Sequence, residues 1–261
     1  MSIIVMSLLA GVIGMGLGGL LTALFGSRTD RMTSIFLSFA GGVMISIVFL
    51  ELVPDAIELS NMATAIAGLV LGAGLVLALN NLMDRLTNAS NGSKLHETFA
   101  EFFHSDEMLS RNSSMLRSGI VMLFAIGLHN VPEGLAMGAA GHYDASLGLT
   151  LAILIGLHNI PEGMAVTAPL IAGGLSKVKA VGLAFLAGVT TLIGAIIGIL
   201  IGGISEFAVA ISFSIAGGAM LYVVLGEILP QSIVTGKDRV PVFFALAGIV
   251  AGMLFIEIVG M

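Results

Sequence analysis

Cysteine, tryptophan and charge are scarce in this sequence. The 261 residues include no cysteine and no tryptophan, and only 10% of them are charged. Without cysteine the chain has neither disulfides nor thiolate ligands for a metal. A soluble domain carries about 25% charged residues, so this composition, with 57% hydrophobic residues, indicates an integral membrane protein. With only two tyrosines as well, an aromatic belt at the membrane surface is hardly present.

Other absences exclude several classes of function. The net charge of −6 argues against a nucleic-acid partner. No Gly-Lys-Ser or Gly-Lys-Thr phosphate-binding loop occurs, so we do not expect ATP to drive the protein directly. The N-terminus lacks the basic stretch of a signal peptide, so we expect the first apolar segment to be retained as a helix.

Long apolar runs predict the fold class. Runs of about 20 apolar residues are long enough to cross a bilayer as helices. We predict an all-α membrane protein, a single transmembrane domain over 1–261 that forms an eight-helix bundle. One longer hydrophilic loop, 84–116, separates helices three and four, and the 35 glycines would let the helices pack closely. The expected helices are approximately 2–25, 32–53, 63–83, 117–139, 146–170, 178–202, 207–229 and 241–260.

The distribution of basic residues predicts the topology. All ten lysines and arginines fall in or beside the connections after helices one, three, five and seven, and the other connections carry none. The positive-inside rule then places both termini outside and the 84–116 loop in the cytoplasm. His96 and His104 in that loop accompany apolar residues at near-helical spacing. This favours an amphipathic helix on the inner membrane surface, and a metal-sensing loop is the alternative.

Two distant segments of the chain are nearly the same. Helix two carries Ser-Phe-Ala-Gly-Gly-Val-Met at 38–44, and helix seven carries Ser-Ile-Ala-Gly-Gly-Ala-Met at 214–220, 176 residues later. Glu51 and Glu227 keep the same offset. Because the predicted topology runs these helices in opposite directions, the repeat is inverted. We therefore predict a 3+2+3 arrangement, with a central pair at 117–170, which is typical of transporters that bind their substrate near the midplane.

A polar motif occurs twice within the central pair. It is His-Asn-Val-Pro-Glu-Gly at 129–134 and His-Asn-Ile-Pro-Glu-Gly at 158–163, 29 residues later. A histidine, an amide and a carboxylate within one helical turn are costly in lipid, which favours a functional role. Each motif begins about twelve residues into its helix, or roughly 18 Å at 1.5 Å per residue, and so lies near mid-bilayer. Residues four apart share a helix face, so the polar groups of each motif converge on one side.

The two motifs together supply ligands for a transition metal. Two imidazoles and two carboxylates suit Zn²⁺, Fe²⁺, Mn²⁺ or Co²⁺, whereas Ca²⁺ prefers oxygen alone. The asparagines would add weaker oxygen ligands or hold a second metal that the glutamates bridge. Interhelical hydrogen bonding is the alternative for a single motif, and two copies on antiparallel helices favour the metal. The candidate ligands are His129, Glu133, His158 and Glu162, with Asn130 and Asn159.

These residues resemble the ZIP (ZRT/IRT-like protein) metal transporters, in the branch with the doubled motif. The resemblance covers nearly the whole chain: eight helices, outside termini, a cytoplasmic loop after helix three and the motif on helix four. It implies one metal on the two histidines and two glutamates, and a second metal on Asn130, Asn159 and the same glutamates. Many members complete the second site with a glutamate on helix six. Here Thr191 takes that position, and because a hydroxyl is a much poorer ligand, we expect a four-ligand centre rather than a binuclear one.

Acidic residues flank the predicted site. Glu51 lies towards the outside and Glu227 towards the cytoplasm, each in an apolar run just before a proline that we expect to break the helix. This placement favours a role for Glu51 in binding the entering cation and for Glu227 in releasing it. Asp55 would add to an outer funnel that concentrates cations. The alternative is that these carboxylates simply face water at the membrane boundary.

The sequence thus predicts a secondary transporter that moves a divalent metal, zinc first, into the cytoplasm by alternating access. Fe²⁺, Mn²⁺, Co²⁺ and Cd²⁺ are the other expected substrates, and no catalytic cofactor is expected. The alternatives are an intramembrane metal-dependent hydrolase, a metal-selective channel and a transporter of another cation that uses the His–Glu pairs as proton relays. We expect the protein in a prokaryotic plasma (inner) membrane, with the lipid bilayer and the metal ion as partners and a homodimer as a further hypothesis.

Overall fold

A computed structural model describes residues 2–25, 30–89, 111–143, 145–201 and 205–259 of the chain. The elements in these ranges are all helices, and eight of the helices described there are long and apolar enough to cross a membrane. The predicted all-α membrane fold is therefore confirmed. His96 and His104 lie outside the described residues. The helices are α1 (Ile3–Phe25), α2 (Arg31–Leu59), α3 (Met62–Ala89), α4 (Arg111–Tyr143), α5 (Ala145–Ala172), α6 (Lys177–Ile201), α7 (Glu206–Gly236) and α8 (Val240–Val259).

Two helices continue past prolines that the sequence predicted would end them, and α3 and α4 extend into the predicted 84–116 loop, α3 to Ala89 and α4 from Arg111. The predicted ends of α2 and α7 were 53 and 229, but both helices continue for more than a turn beyond Pro54 and Pro230. In each helix a π-helical segment ends two positions before the proline, Val48–Leu52 in α2 and Val224–Ile228 in α7. The wider π turn leaves backbone carbonyls without their regular partners. A proline, which lacks an N–H group and pushes on the preceding turn, is accommodated there without ending the helix.

The 176-residue repeat is preserved in the packing. Gly42 of α2 meets the carbonyl group of Ala245 in α8 so closely that an added Cβ would overlap the oxygen. At the repeat-related positions, Gly218 of α7 meets the carbonyl group of Leu69 in α3 in the same way. Close backbone approach at glycine is a common way for helices to associate in lipid. The pairs α2–α8 and α7–α3 are therefore equivalent interfaces.

The helices pack as two groups of four that differ from the order of the chain. In the first group α4 packs on α5 and α6, and α1 packs on α5 and α6. In the second group α2 packs on α7 and α8, and α3 packs on α7. The two groups meet where α2 packs on α5 and where α7 packs on α4. The paired motifs of α4 and α5 thus belong to one group, and the flanking glutamates of α2 and α7 belong to the other.

Candidate metal centre

The last residue of each motif fixes the motif against a neighbouring helix. A Cβ on Gly134 would overlap the carbonyl oxygen of Thr191 in α6, and a Cβ on Gly163 would overlap that of Met15 in α1. Met15 and Thr191 are 176 residues apart, the offset of the long repeat, and the two glycines are 29 residues apart, the offset of the doubled motif. Both motif prolines lie inside continuous helices. Because glycine brings each motif backbone against its neighbour, the polar side chains one turn earlier are held at a defined depth.

The two motifs are joined by reciprocal contacts between histidine and glutamate. His129 Nε2 lies 2.9 Å from Glu162 Oε1, and His158 Nε2 lies 3.1 Å from Glu133 Oε2, so both pairs are within hydrogen-bond distance. Each imidazole therefore contacts the carboxylate of the other motif, on the other helix. The exposed fraction of each of the four residues is at most 1%. The structure brings together all four side chains that the sequence selected.

The spacing of these atoms is compatible with binding a metal. One ligand atom each from His129, Glu133 and Glu162 lies within 4.8 Å of the other two. Since zinc lies about 2.0–2.2 Å from nitrogen and oxygen ligands, a small inward movement would bring all three onto one ion. His158 joins the cluster through Glu133. Glu133 Oε1 is buried without a hydrogen-bond partner among the described residues, which leaves this oxygen available to a cation.

The two asparagines have different environments, although the repeated motif predicted equal roles for them. The Asn130 amide is best satisfied when its nitrogen donates to Ile126 O at 3.2 Å and to Glu162 Oε2 at 3.3 Å, so it supports the cluster. The Asn159 nitrogen instead donates to Ala10 O at 3.1 Å. Ala10 lies in a π-helical segment of α1. The amide nitrogen of Asn159 therefore holds α5 against α1, while its buried oxygen has no partner in the described part of the chain.

Thr191 is buried at the interface between α6 and α1. Its exposed fraction is 0%, and an added Cβ on Gly11 would lie 2.7 Å from Thr191 Cβ. Its hydroxyl oxygen has no hydrogen-bond partner among the described residues. Thr191 thus lies in the same four-helix group as the His/Glu cluster, and it places a neutral hydroxyl where the resemblance led us to look for a carboxylate.

The flanking glutamates both lie in π-helical segments but have different neighbours. Glu51 interacts electrostatically with His158, Asp55 and Glu133, and its buried Oε2 has no partner in the described ranges. Glu227 instead accepts a hydrogen bond from Asn80 Nδ2 at 3.3 Å. The structure therefore brings Glu51 towards the central cluster and holds Glu227 against α3.

The sequence analysis did not select Asn80, whose amide donates to Glu227. Asn80 is a buried polar residue of α3, with an exposed fraction of 8%, and Asn81 follows it directly. Two adjacent amides at the end of an apolar run are the signal that could have identified Asn80.

Comparison with known proteins identifies the family. Residues 81–260 match the family model described as ZIP Zinc transporter. The chain belongs to the ZIP zinc transporter family. A "Zinc transporter ZupT" from Corynebacterium glutamicum is 32% identical over 263 residues, which cover 97% of this chain and 95% of the relative. A protein of the same name from Chlorobaculum parvum is 34% identical, over 97% of this chain and 94% of the relative. Another from Akkermansia muciniphila is 35% identical, over 98% of this chain and 97% of the relative.

Membership of the ZIP family confirms the resemblance to the ZIP transporters found in the sequence, and the assignment to the branch with the doubled motif stays a prediction. Membership of this family agrees with the eight apolar helices of the described residues and with the prediction of an integral membrane protein. The relatives are named as transporters, so a transporter, and not an enzyme, is the class of protein to which this ZIP member belongs.

Proposed function

We propose that this ZIP protein carries a divalent transition metal, zinc first, across the plasma membrane into the cytoplasm. The reciprocal contacts of His129 with Glu162 and of His158 with Glu133 are the observation that carries this proposal. Imidazole nitrogens and carboxylate oxygens are the ligands that zinc takes in proteins. Fe²⁺, Mn²⁺, Co²⁺ and Cd²⁺ are the other candidate substrates.

The proposed ligands are the two histidines and two glutamates of the motifs, and their charges match one divalent ion. An isolated charge is very unfavourable in a dry interior unless it is paired. The two carboxylates neutralise a single dication, and neutral imidazoles complete the coordination. Asn130 steadies the Glu162 carboxylate, and Asn159 offers a buried amide oxygen nearby. Because Thr191 adds no negative charge, we propose a centre that holds one ion.

The proposed pathway uses the acids of the second four-helix group. Asp55 and Glu51 capture the cation on the outer side, and Glu227 receives it on the cytoplasmic side. This direction follows from the charge-based topology, in which the basic connections are cytoplasmic. Movement of one four-helix group against the other would expose the central ligands to each side in turn, as in other transporters built from inverted repeats.

Zinc uptake into proteoliposomes tests this proposal. His158→Ala removes one imidazole and should reduce both zinc uptake and zinc binding sharply. Glu257→Gln provides a control, because Glu257 is exposed on α8, away from the motifs. Unchanged uptake and unchanged binding in His158→Ala would rule out the ligand assignment. Electrical conductance that does not saturate with zinc would favour a channel over a carrier.

A further inference from the structure

The internal repeat places Glu51 and Glu227 at equivalent positions, but the helix beside each glutamate offers it a different side chain. Both glutamates lie in π-helical segments, and α7 packs on α3 as α2 packs on α8. Asn80 of α3 donates through Nδ2 to Glu227 Oε1 at 3.3 Å. The residue 176 positions after Asn80 is Ile256 of α8, whose side chain is apolar. The amide is therefore a feature of the Glu227 side, and the repeated fold does not require it.

Asn80 is buried, and only one end of its amide has a partner. The exposed fraction of Asn80 is 8%. Its Nδ2 is hydrogen-bonded to Glu227, whereas its buried Oδ1 has no hydrogen-bond partner among the described residues. Leaving a buried acceptor unpaired is unfavourable, and an apolar side chain at this position would not have that disadvantage. An amide oxygen accepts only a donor or a cation, so Oδ1 is a free ligand atom beside a carboxylate.

The distance between the two side chains suits a bound cation. A half-turn of the Asn80 amide exchanges its nitrogen and its oxygen with little change in shape. Oδ1 would then lie about 3.3 Å from Glu227 Oε1, where Nδ2 lies in this structure. An ion 2.0–2.2 Å from both oxygens would be held at an angle of about 100°, which is between the ligand angles of octahedral and tetrahedral sites. One divalent ion therefore fits between the amide and the carboxylate without movement of either helix.

We propose that Asn80 is a ligand of the transported ion: its amide oxygen and the Glu227 carboxylate form a second cation site, between α3 and α7 on the cytoplasmic side of the metal centre. This inference rests on the proposed function, in which the ion passes Glu227. Before the ion arrives, Nδ2 orients the carboxylate through the hydrogen bond of this structure. When the ion arrives, the amide turns and Oδ1 binds it. The same side chain thus orients the empty site and completes the occupied one.

This second site is weaker than the central cluster, which suits a site from which the ion leaves. Its protein ligands are two oxygens with one negative charge, whereas the central cluster offers two imidazoles and two carboxylates. Glu227 is partly exposed, so water fills the remaining positions around the ion before it enters the cytoplasm. An ion held this weakly is lost when the purified protein is freed of excess metal. The zinc that remains bound is then the zinc of the central cluster.

Binding of Mn²⁺ to the full-length protein in detergent tests this site, since Mn²⁺ accepts oxygen ligands and the EPR signal of the free ion gives its Kd. The background is His158→Ala/Glu162→Gln, which weakens the central cluster. There Asn80→Leu should raise the Kd about tenfold or more, as expected when a charged group loses a polar contact. Asn80→Asp supplies a charged oxygen without an N–H donor and should lower the Kd about tenfold or more.

Asn81 provides matched controls, because it is the next residue of α3 and is exposed. Asn81→Leu and Asn81→Asp make the same changes outside the proposed site, and each should leave the Mn²⁺ Kd of the background within about threefold.

Zinc uptake in proteoliposomes tests the role of the site in release. In the otherwise wild-type protein, Asn80→Asp retains the ion, so the maximal rate should fall about tenfold. The KM for external zinc should not rise, since the central ligands are unchanged. Asn80→Asp/Glu227→Gln exchanges the amide and the carboxylate between the two helices and restores a single negative charge, so the rate should recover towards that of the wild type.

Two outcomes would overturn the proposal. An unchanged Mn²⁺ Kd in folded Asn80→Leu protein would mean that water, and not the ion, completes the amide oxygen. Weaker Mn²⁺ binding by Asn80→Asp would assign the role to the N–H donor, and Asn80 would then only orient Glu227. If the wild type takes up no zinc, or if His158→Ala has no effect on uptake, the proposed function itself fails. The comparison of the Mn²⁺ Kd between Asn80 and Asn81 variants does not depend on those two results.

Discussion

Replacing Glu162 with glutamine is the most direct perturbation of the metal centre. Glu162 Oε1 lies 2.9 Å from His129 Nε2, and its Oε2 lies 3.3 Å from the Asn130 amide nitrogen. Glutamine has nearly the same shape: its carbonyl oxygen can face His129, and its amide nitrogen faces Asn130, whose amide can turn to present its oxygen instead. The substitution therefore removes one negative charge and leaves the packing of α4 against α5 in place.

The structure sets the size of the expected effect. With Glu162 neutral, only the carboxylate of Glu133 remains to balance a divalent ion among side chains whose exposed fraction is at most 1%. Removing one partner from a buried charge pair costs about 3–5 kcal/mol. Since each 1.4 kcal/mol is a factor of ten in the dissociation constant, zinc binding should weaken by roughly two to three and a half orders of magnitude.

The measurement is the zinc Kd of the purified protein, obtained by competition with a chromophoric chelator, together with zinc uptake in proteoliposomes. Glu257→Gln is the matched control, since it makes the same change at an exposed position on α8. Thermal unfolding in detergent shows whether the variant retains its fold. A Kd within threefold of the wild type in a folded Glu162→Gln protein would refute the argument that Glu162 balances the charge of the ion.

Three further predictions concern packing, the asparagines and the number of ions. Gly163→Ala places a methyl group on the backbone of α1 and should lower the free energy of unfolding by about 1–3 kcal/mol or more. Gly182→Ala is the control, because Gly182 has open space around it, and it should not lower this free energy. Equal melting temperatures for the two variants would contradict the prediction. Asn130→Ala should weaken zinc binding about tenfold or more, as is typical of residues that orient a ligand. Asn159→Ala should chiefly lower the free energy of unfolding, by about 1–3 kcal/mol. If Asn159→Ala mainly raised the zinc Kd and Asn130→Ala mainly lowered the melting temperature, the two proposed roles would be excluded. Thr191→Val should leave zinc uptake unchanged, with one zinc ion bound per chain as in the wild type. Elemental analysis that gives two zinc ions per wild-type chain would disprove the single-ion centre.

The sequence was sufficient to predict the span count and the meeting of the motifs, for identifiable reasons. Apolar runs have to match the thickness of a bilayer, so eight helices could be counted without a structure. His129 and Glu133 lie four residues apart, as do His158 and Glu162, so each pair shares one face of its helix. Because the predicted central pair of helices packs side by side, these two polar faces were expected to meet.

The differences from the prediction depend on backbone geometry that composition does not encode. Pro54 and Pro230 suggested helix ends, but the π-helical segments before them accommodate a proline. Asn159 appeared equivalent to Asn130 because their motifs match. Their roles separate because α1 has a π-helical segment at Leu9–Ile13, whereas the repeat-related part of α6 is a regular α-helix. Such a local change of helix type has no simple sequence pattern.

The grouping of helices in space has a consequence for transport. The four proposed ligands all lie on α4 and α5, which pack on each other within one four-helix group. In the proposed mechanism, relative movement of the two groups would leave the ligand set intact and would change which part of the second group lies beside it. In this structure Glu51 lies within electrostatic range of His158 and Glu133, while Glu227 accepts a hydrogen bond from Asn80. In such a transport cycle Glu227 would replace Glu51 beside the metal centre, and the four ligands on α4 and α5 would stay together throughout.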